Sequence, residues 1–243
     1  MRVTTLTPNL IQLITFPRVF PINYYLVRED DGFTLVDTGI RGAGAKDILA
    51  AAARLGAPIR RIALTHAHAD HAGGLDGLHA ALPDAEVLIT ARAARPLGGD
   101  RTLDPGEPGG KLRGSWKTCA TKPTRLLAVG DRVGSLEVVA AAGHTPGHVA
   151  FLDTRDRALI AGDAFQTRGG IAVSGVVRPL FPFPAMGTWH GPTALASARG
   201  LRALNPSLLV VGHGSAIASP AAAMDQAIAA AARKWAQALS HAG

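Results

Sequence analysis

The sequence predicts an α/β protein made of two β-rich halves that face each other. Three observations carry that expectation. Strand and helix patterns alternate along all 243 residues with no linker to divide them. The order strand, helix, strand occurs twice, first with strands ending at Asp37 and His66, then with strands ending at Asp163 and His213. An apolar content of 47% is ample for the core of one domain covering 1–243. In such a plan the polar strand ends converge on one edge, where open sheets usually bind ligands.

Each element follows from local pattern. "INYYLVRED" and "FTLVDTG" are β-branched and aromatic runs around a polar, glycine-containing break, which predicts a hairpin. "AKDILAAAARLG" has apolar residues at helical spacing and a glycine where the helix should stop, and "IRRIAL" then predicts a short strand. "THAHAD" follows, and "HAGGLDGLHAAL" predicts one helix with Asp70 near its N-terminus, where a carboxylate suits unpaired amides. In the second half "RALIAGDAF" and "SLLVVGHG" are strands on either side of the helix "GPTALASARGLRAL". The last segment, "PAAAMDQAIAAAARKWAQAL", is an alanine-rich helix expected on the outside. Residues 92–122 and 166–190 lack clear periodicity, and loops of that length are more often functional than idle.

Composition narrows the function. No basic n-region with a long apolar run opens the chain, so no secretory signal and a cytoplasmic setting are expected. No stretch approaches the roughly 18 apolar residues of a membrane helix, and no membrane partner is expected. Cys119 is the one cysteine, which excludes an intrachain disulfide and a cysteine-rich zinc site. A formal charge of +7 raises nucleic acid as a partner. The basic concentration from Arg92 to Arg125 is, however, interleaved with Asp100, Asp104 and Glu107, which predicts a solvated loop and leaves a small molecule as the favoured partner.

The chemistry gathers at "THAHADHAGG". His66 and His68 are two apart, so both side chains point to one side of an extended segment and need one more imidazole to hold a divalent cation. Asp70 and His71 follow as the chain turns into the helix, and their different direction suits a second cation. His144 and His213 can close the site, each after an apolar strand and beside glycines, while Asp163 at a strand end suits a bridge. Nitrogen and oxygen donors without thiolate favour zinc over iron, manganese or cobalt. Taken singly, each of these histidines is more often structural than a ligand. His79 and His241 are expected to be solvated.

Together with "VDTG" at Asp37, the H-x-H-x-D-H run at 66–71, G-H-T-P-G-H at 143–148, Gly162 with Asp163, and His213 between two glycines resemble the metallo-β-lactamase superfamily over nearly the whole chain. The resemblance implies an αβ/βα four-layer sandwich with two facing mixed β-sheets. It also implies His66, His68 and His144 on one cation, Asp70, His71 and His213 on a second, and Asp163 between them. Asp37 and His148 fall outside the ligand set in that pattern, as supports. The implied activity is hydrolysis by a hydroxide shared between the cations, with Asp70 guiding the proton. The fold hosts many chemistries. Lactonase, β-lactamase, thioesterase of the glyoxalase II type, nuclease or phosphodiesterase, and persulfide dioxygenase with one iron are the alternatives. A metal-binding protein without activity is the least favoured, because all seven candidate ligands are present. Without a signal peptide a β-lactamase is disfavoured, and the 30 residues after His213 leave no room for a helical C-terminal domain. A small-molecule ester, specifically a lactone, is the expected substrate. Trp116 from the first long loop and Phe181, Phe183, Met186, Trp189 and His190 from the second are the candidate pocket residues.

Overall fold

A computed structural model describes residues 1–42 and 44–240, with side chains to residue 236, so His241 lies outside the described residues. The first sheet assembles in chain order. Strands β1 (Arg2–Thr5), β2 (Leu10–Thr15), β3 (Ile22–Glu29) and β4 (Gly32–Val36) pair antiparallel in succession, and the expected hairpin is β3–β4. Helix α1 (Ala45–Arg54) carries the chain across so that β5 (Ile59–Ala63) lies parallel to β4. Helices α2 (Ala69–Ala72) and α3 (Leu75–Ala81) lead to β6 (Glu86–Thr90), parallel to β5. Beyond α4 (Ala91–Leu97) a long loop returns as β7 (Arg125–Leu127), parallel to β6, and completes seven strands.

The second sheet has six strands. β8 (Arg132–Val133), β9 (Leu136–Ala140), β10 (Val149–Asp153) and β11 (Ala158–Ile160) are successive antiparallel neighbours. β12 (Phe165–Gln166) and β13 (Ala172–Val173) form a small separate hairpin, followed by α5 (Phe183–Gly187) and α6 (Gly191–Ala203). β14 (Leu208–Val210) then lies parallel to β11, β15 (Ile217–Ala218) closes the edge, and α7 (Ala221–Ser240) follows. No described helix is long and apolar enough to cross a membrane.

Alternation along the strands builds the layers. β3 sends Tyr24 and Leu26 to one face and Tyr25 and Val27 to the other; β10 divides Ala150 and Leu152 from Val149 and Phe151. Tyr25, Val27, Val36 and Leu88 of the first sheet meet Val138, Phe151, Ile160 and Val210 of the second in a core between the sheets. The outer face of the first sheet packs on Ile48 of α1, Leu75 and Leu78 of α3, and Leu97 of α4. That of the second packs on Ala198 and Leu201 of α6 and on Met224, Ala227 and Ala231 of α7, which lies outside as expected. Helix, sheet, sheet, helix is the αβ/βα four-layer sandwich.

Three expectations need correction. The helix expected across 71–82 divides into α2 and α3. Its two glycines are the reason: a Cβ on Gly74 would lie 2.3 Å from Thr38 O, and the break lets Gly74 N–H donate to Gly39 O at 2.9 Å. The segment 166–190 holds a hairpin and a short helix and is not one loop. The acids of the first long loop are not simply interleaved in solvent. Arg92 Nε donates to Glu107 Oε1 at 2.7 Å and Arg95 Nε to Asp100 Oδ2 at 2.9 Å, so they brace the turn after α4.

Phe151 is fully buried where the two sheets meet. Phe151→Ala is expected to cost about 3–5 kcal/mol of unfolding free energy, read as a lower midpoint in a denaturant melt; a loss below about 1 kcal/mol would mean that the sheets collapse onto each other without it.

Candidate metal centre

Both crossovers deliver polar residues to one edge. The chain leaves β4 into Asp37, β5 into His66, β11 into Asp163 and β14 into His213, and the loop between β9 and β10 adds His144 and His148. All seven candidate ligands come together there. His66, His68 and His144 form one group, Asp70, His71 and His213 a second, and His66, His71 and Asp163 a third that joins them, with donor atoms in each group within 4.8 Å of one another. Asp163 lies between: Oδ1 is 3.3 Å from His71 Nε2, and Oδ2 is 3.3 Å from His144 Nε2 and 3.4 Å from His213 Nε2.

Hydrogen bonds behind the ring decide which nitrogen of each imidazole faces inward. His71 Nδ1–H donates to Asp37 Oδ2 at 2.7 Å, and His213 Nδ1–H to Pro21 O at 2.7 Å. His68 Nε2–H donates to Arg113 O at 2.9 Å. Thr65 Oγ1–H donates to Asp37 Oδ2 and Ser174 Oγ–H to Asp163 O, so these hydroxyls accept the Nδ1–H of His66, at 3.0 Å, and of His144, at 2.9 Å. The outer nitrogen of each ring is thereby the one that donates, and five inner nitrogens face the centre as potential ligands. His66 Nε2 and His68 Nδ1 are 3.1 Å apart, and His68 Nδ1 and His144 Nε2 are 2.9 Å apart. Such spacings suit donors that each sit about 2.0–2.1 Å from a shared ion. His71 Nε2 and Asp163 Oδ1 are buried and face each other at 3.3 Å without a well-formed hydrogen bond, an arrangement that a cation between them would relieve. The cluster is fit to hold metal ions.

Burial and charge divide the ring electrically. Burial, reinforced by neighbouring imidazoles, holds His66 far below the usual histidine range. Burial also depresses His144, more than Asp163 opposes it. For His71 burial acts in the same direction, but Asp163, Asp37 and Asp70 outweigh it and raise its pKa well above the usual value. His213 is pushed up to about 10, because Asp163 and Asp70 overcome its burial. The cation-free centre therefore carries its positive charge on the His71 and His213 side.

The supporting residues stand where expected. Asp37 accepts from Thr65 N–H at 2.8 Å as well as from Thr65 Oγ1 and His71. His148 Nδ1–H donates to Ala141 O at 3.0 Å, and its Nε2 accepts Asp163 N–H at 3.2 Å, so it holds the backbone of the bridging carboxylate. Cys119 lies outside the ring, its thiol pushed up to about 11 by burial. His79 is half-buried on α3 and not fully solvated.

The centre floors a cleft of about 410 Å³. Phe183 and Met186 of α5 line it, as expected. Trp116 stands behind the wall and packs edge-on against His68, with ring centroids 4.4 Å apart. Phe181 is buried against His213 at 5.4 Å. Trp189 is placed by its backbone N–H on His144 O at 2.9 Å, and His190 caps α6, its Nδ1 accepting Thr193 N–H at 3.3 Å. These four are not in the lining. Phe20, Ile40, Ser115 and Pro184 are, and were not singled out in the sequence. Phe20, in "FPRVFP" between β2 and β3, had a signal in its two prolines and second aromatic. Its ring lies 5.1 Å from those of Phe183 and His213.

Comparison with known proteins agrees with this geometry. The Bacillus subtilis protein YobT is 48% identical over 218 residues, covering 89% of this chain and 93% of YobT. The hydroxyacylglutathione hydrolase of Rhodospirillum rubrum is 31% identical over 170 residues, covering 70% of this chain but 54% of that enzyme, so the likeness spans about half of it. Among solved structures, TTHA1623 in a di-iron-bound form superposes with a TM-score of 0.60 at 26% identity, covering 92% of this chain and 97% of that one. The family profile described as the metallo-beta-lactamase superfamily matches residues 17–213. With that match over most of its length, the chain belongs to the metallo-beta-lactamase superfamily, a family of metal-dependent hydrolases.

Proposed function

We propose that the chain is a dinuclear metal-dependent hydrolase of a small hydrophobic ester, and of a lactone in particular. The observation that carries this reading is the ring of inward His and Asp donor atoms, with Asp163 between two groups of ligands, at the floor of a cleft walled by Phe20, Ile40, Phe183 and Met186. The di-iron form of TTHA1623 supports two ions, and the nitrogen and oxygen donors favour zinc. Bound cations supply Lewis acidity toward a carbonyl and lower the pKa of the water they hold to about 7.

The chain's own groups supply the rest. The Asp70 side chain is 21% exposed while that of Asp163 is 3% exposed, so Asp70 is the carboxylate that opens to the cleft. Its Oδ2 lies 3.2 Å from His213 Nε2. That oxygen belongs with the ligand group, which leaves Oδ1 to take up a proton transiently and pass it to a leaving alkoxide. The aromatic and aliphatic walls take up an acyl or ring substituent and exclude water from it. A thioester is the second reading, favoured by the likeness to hydroxyacylglutathione hydrolases.

Four outcomes are expected. Elemental analysis should find close to two divalent cations per chain, and one iron without zinc would move the reading to the dioxygenase class. Because nearby carboxylates favour the protonated forms of His71 and His213, loading at pH 7 should release protons. Calorimetry in buffers of different ionisation enthalpy reads their number, and a release of none would contradict the charge assignment. Asp70→Asn should lower kcat by about 10²-fold or more and weaken one cation while circular dichroism stays unchanged; parental activity would remove its role. Substrate class is decided by parallel kinetics on an acyl lactone series, an acyl thioester and a structured RNA. Lactone turnover with little dependence on moderate salt is expected. Efficient RNA cleavage with a steep loss of binding as salt rises, and no lactone turnover, would overturn the reading.

A further inference from the structure

His213 stands between Gly212 and Gly214, in a segment with almost no side chains of its own to anchor it. None could be added at 212, where a Cβ would lie 2.2 Å from Asp163 Oδ1 and 2.6 Å from His71 Cε1. Gly214 has φ of +119°, which a side chain would strain. A ligand on so free a backbone must be held from outside.

The hold comes from the start of β3, in the opposite sheet. Asn23, 1% exposed, donates Nδ2–H to Val211 O and to Gly214 O, both at 2.8 Å, so one amide brackets His213 on both sides. Its backbone N–H donates to Gly212 O at 2.9 Å. Tyr25 OH adds a second bond to Val211 O at 2.6 Å, and Pro21 O takes the imidazole Nδ1–H. From the other side Thr167 N–H donates to the carbonyl of His213 itself at 3.0 Å. The Asn23 amide cannot be turned over, since its oxygen would then face two carbonyl oxygens. That oxygen is buried without a partner, so the amide serves as a double donor at the expense of its acceptor.

We propose that Asn23 is a positioning residue for His213 and so sets the affinity for the cation held by Asp70, His71 and His213, while leaving the His66, His68 and His144 group unaffected. The selectivity follows from the supports: His66, His68 and His144 lean on Thr65, Arg113 and Ser174, whose bonds to these rings do not involve 211–214. The inference rests on the two-cation reading.

The test is a titration of the cation-free parent, Asn23→Ala and Tyr25→Phe with zinc against a competing chelator. Cobalt absorption spectra at one and two equivalents would be recorded in parallel. The parent should take two cations. Asn23→Ala should bind one with parental affinity and the parental one-equivalent spectrum, and the other about 10–100-fold more weakly. Tyr25→Phe, which deletes one donor and keeps the ring, should weaken the same step by a smaller factor. A general structural role would weaken both steps alike, and that result, or two parental affinities, overturns the inference. Should Asn23→Ala not fold, Tyr25→Phe decides by the same criterion. A parent that saturates at one cation overturns the two-cation reading and the inference with it; two cations bound at parental affinity by the variants overturn the inference alone.

Discussion

One carboxylate orients both sides of the centre. Asp37 accepts three hydrogen bonds, from the amide and hydroxyl of Thr65 and from His71, and the same Thr65 hydroxyl receives His66. Histidines of both ligand groups thus take their angle from a single side chain. Asp37 holds φ of +63°, a conformation that short polar residues tolerate better than most, which turns the chain out of β4 so that its carboxylate reaches back under 65–71. At 3% exposure it has no water to share those bonds with, so its geometry is stiff.

The fold makes this convergence possible because each half contributes a parallel crossover with its exits on the same edge. β4, α1 and β5 do so in the first sheet, and β11, α6 and β14 in the second. The sheets face each other through an apolar core that continues to the base of the centre, so burial acts on every imidazole. Carboxylates then offset it unevenly. His66 and His144 are pushed toward the neutral form, whereas the carboxylates favour the protonated form of His71 and His213. An apolar floor with three unevenly placed acids produces two unlike halves of one ring.

Much of this was legible in the residues. The repeated strand, helix, strand order is visible because strand exits carry Asp37, His66, Asp163 and His213 beside glycines, and the local pattern changes sharply at each. The helix interrupted at Gly73 and Gly74 was less so, since helical spacing continues through both glycines and the break is imposed by the 38–39 turn lying against them. Asn23 was not legible at all. It sits inside a strand pattern, and its partners are 188 and 191 positions away. Trp189 and His190 carried the residue types of a binding wall, yet their backbones are committed to 143–144, which aims them away from the cleft. Pairing over long sequence distance and backbone commitment are the two properties that residue type does not encode.

The contact that steadies His68 belongs to the second kind. Its partner is the main-chain oxygen of Arg113, and the loop is also pinned there by Ala69 N–H on Ser115 O at 2.8 Å. Gly114, between them, passes so close that a Cβ would lie 2.3 Å from His68 Nε2. Position 114 is closed to variation, but the Arg113 side chain is exposed and takes no part in the hold. A library randomised at 113 would therefore vary charge and bulk next to the cleft-lining Gly114 and Ser115 while leaving the support of His68 intact, which makes that position a natural handle for retuning selectivity by directed evolution.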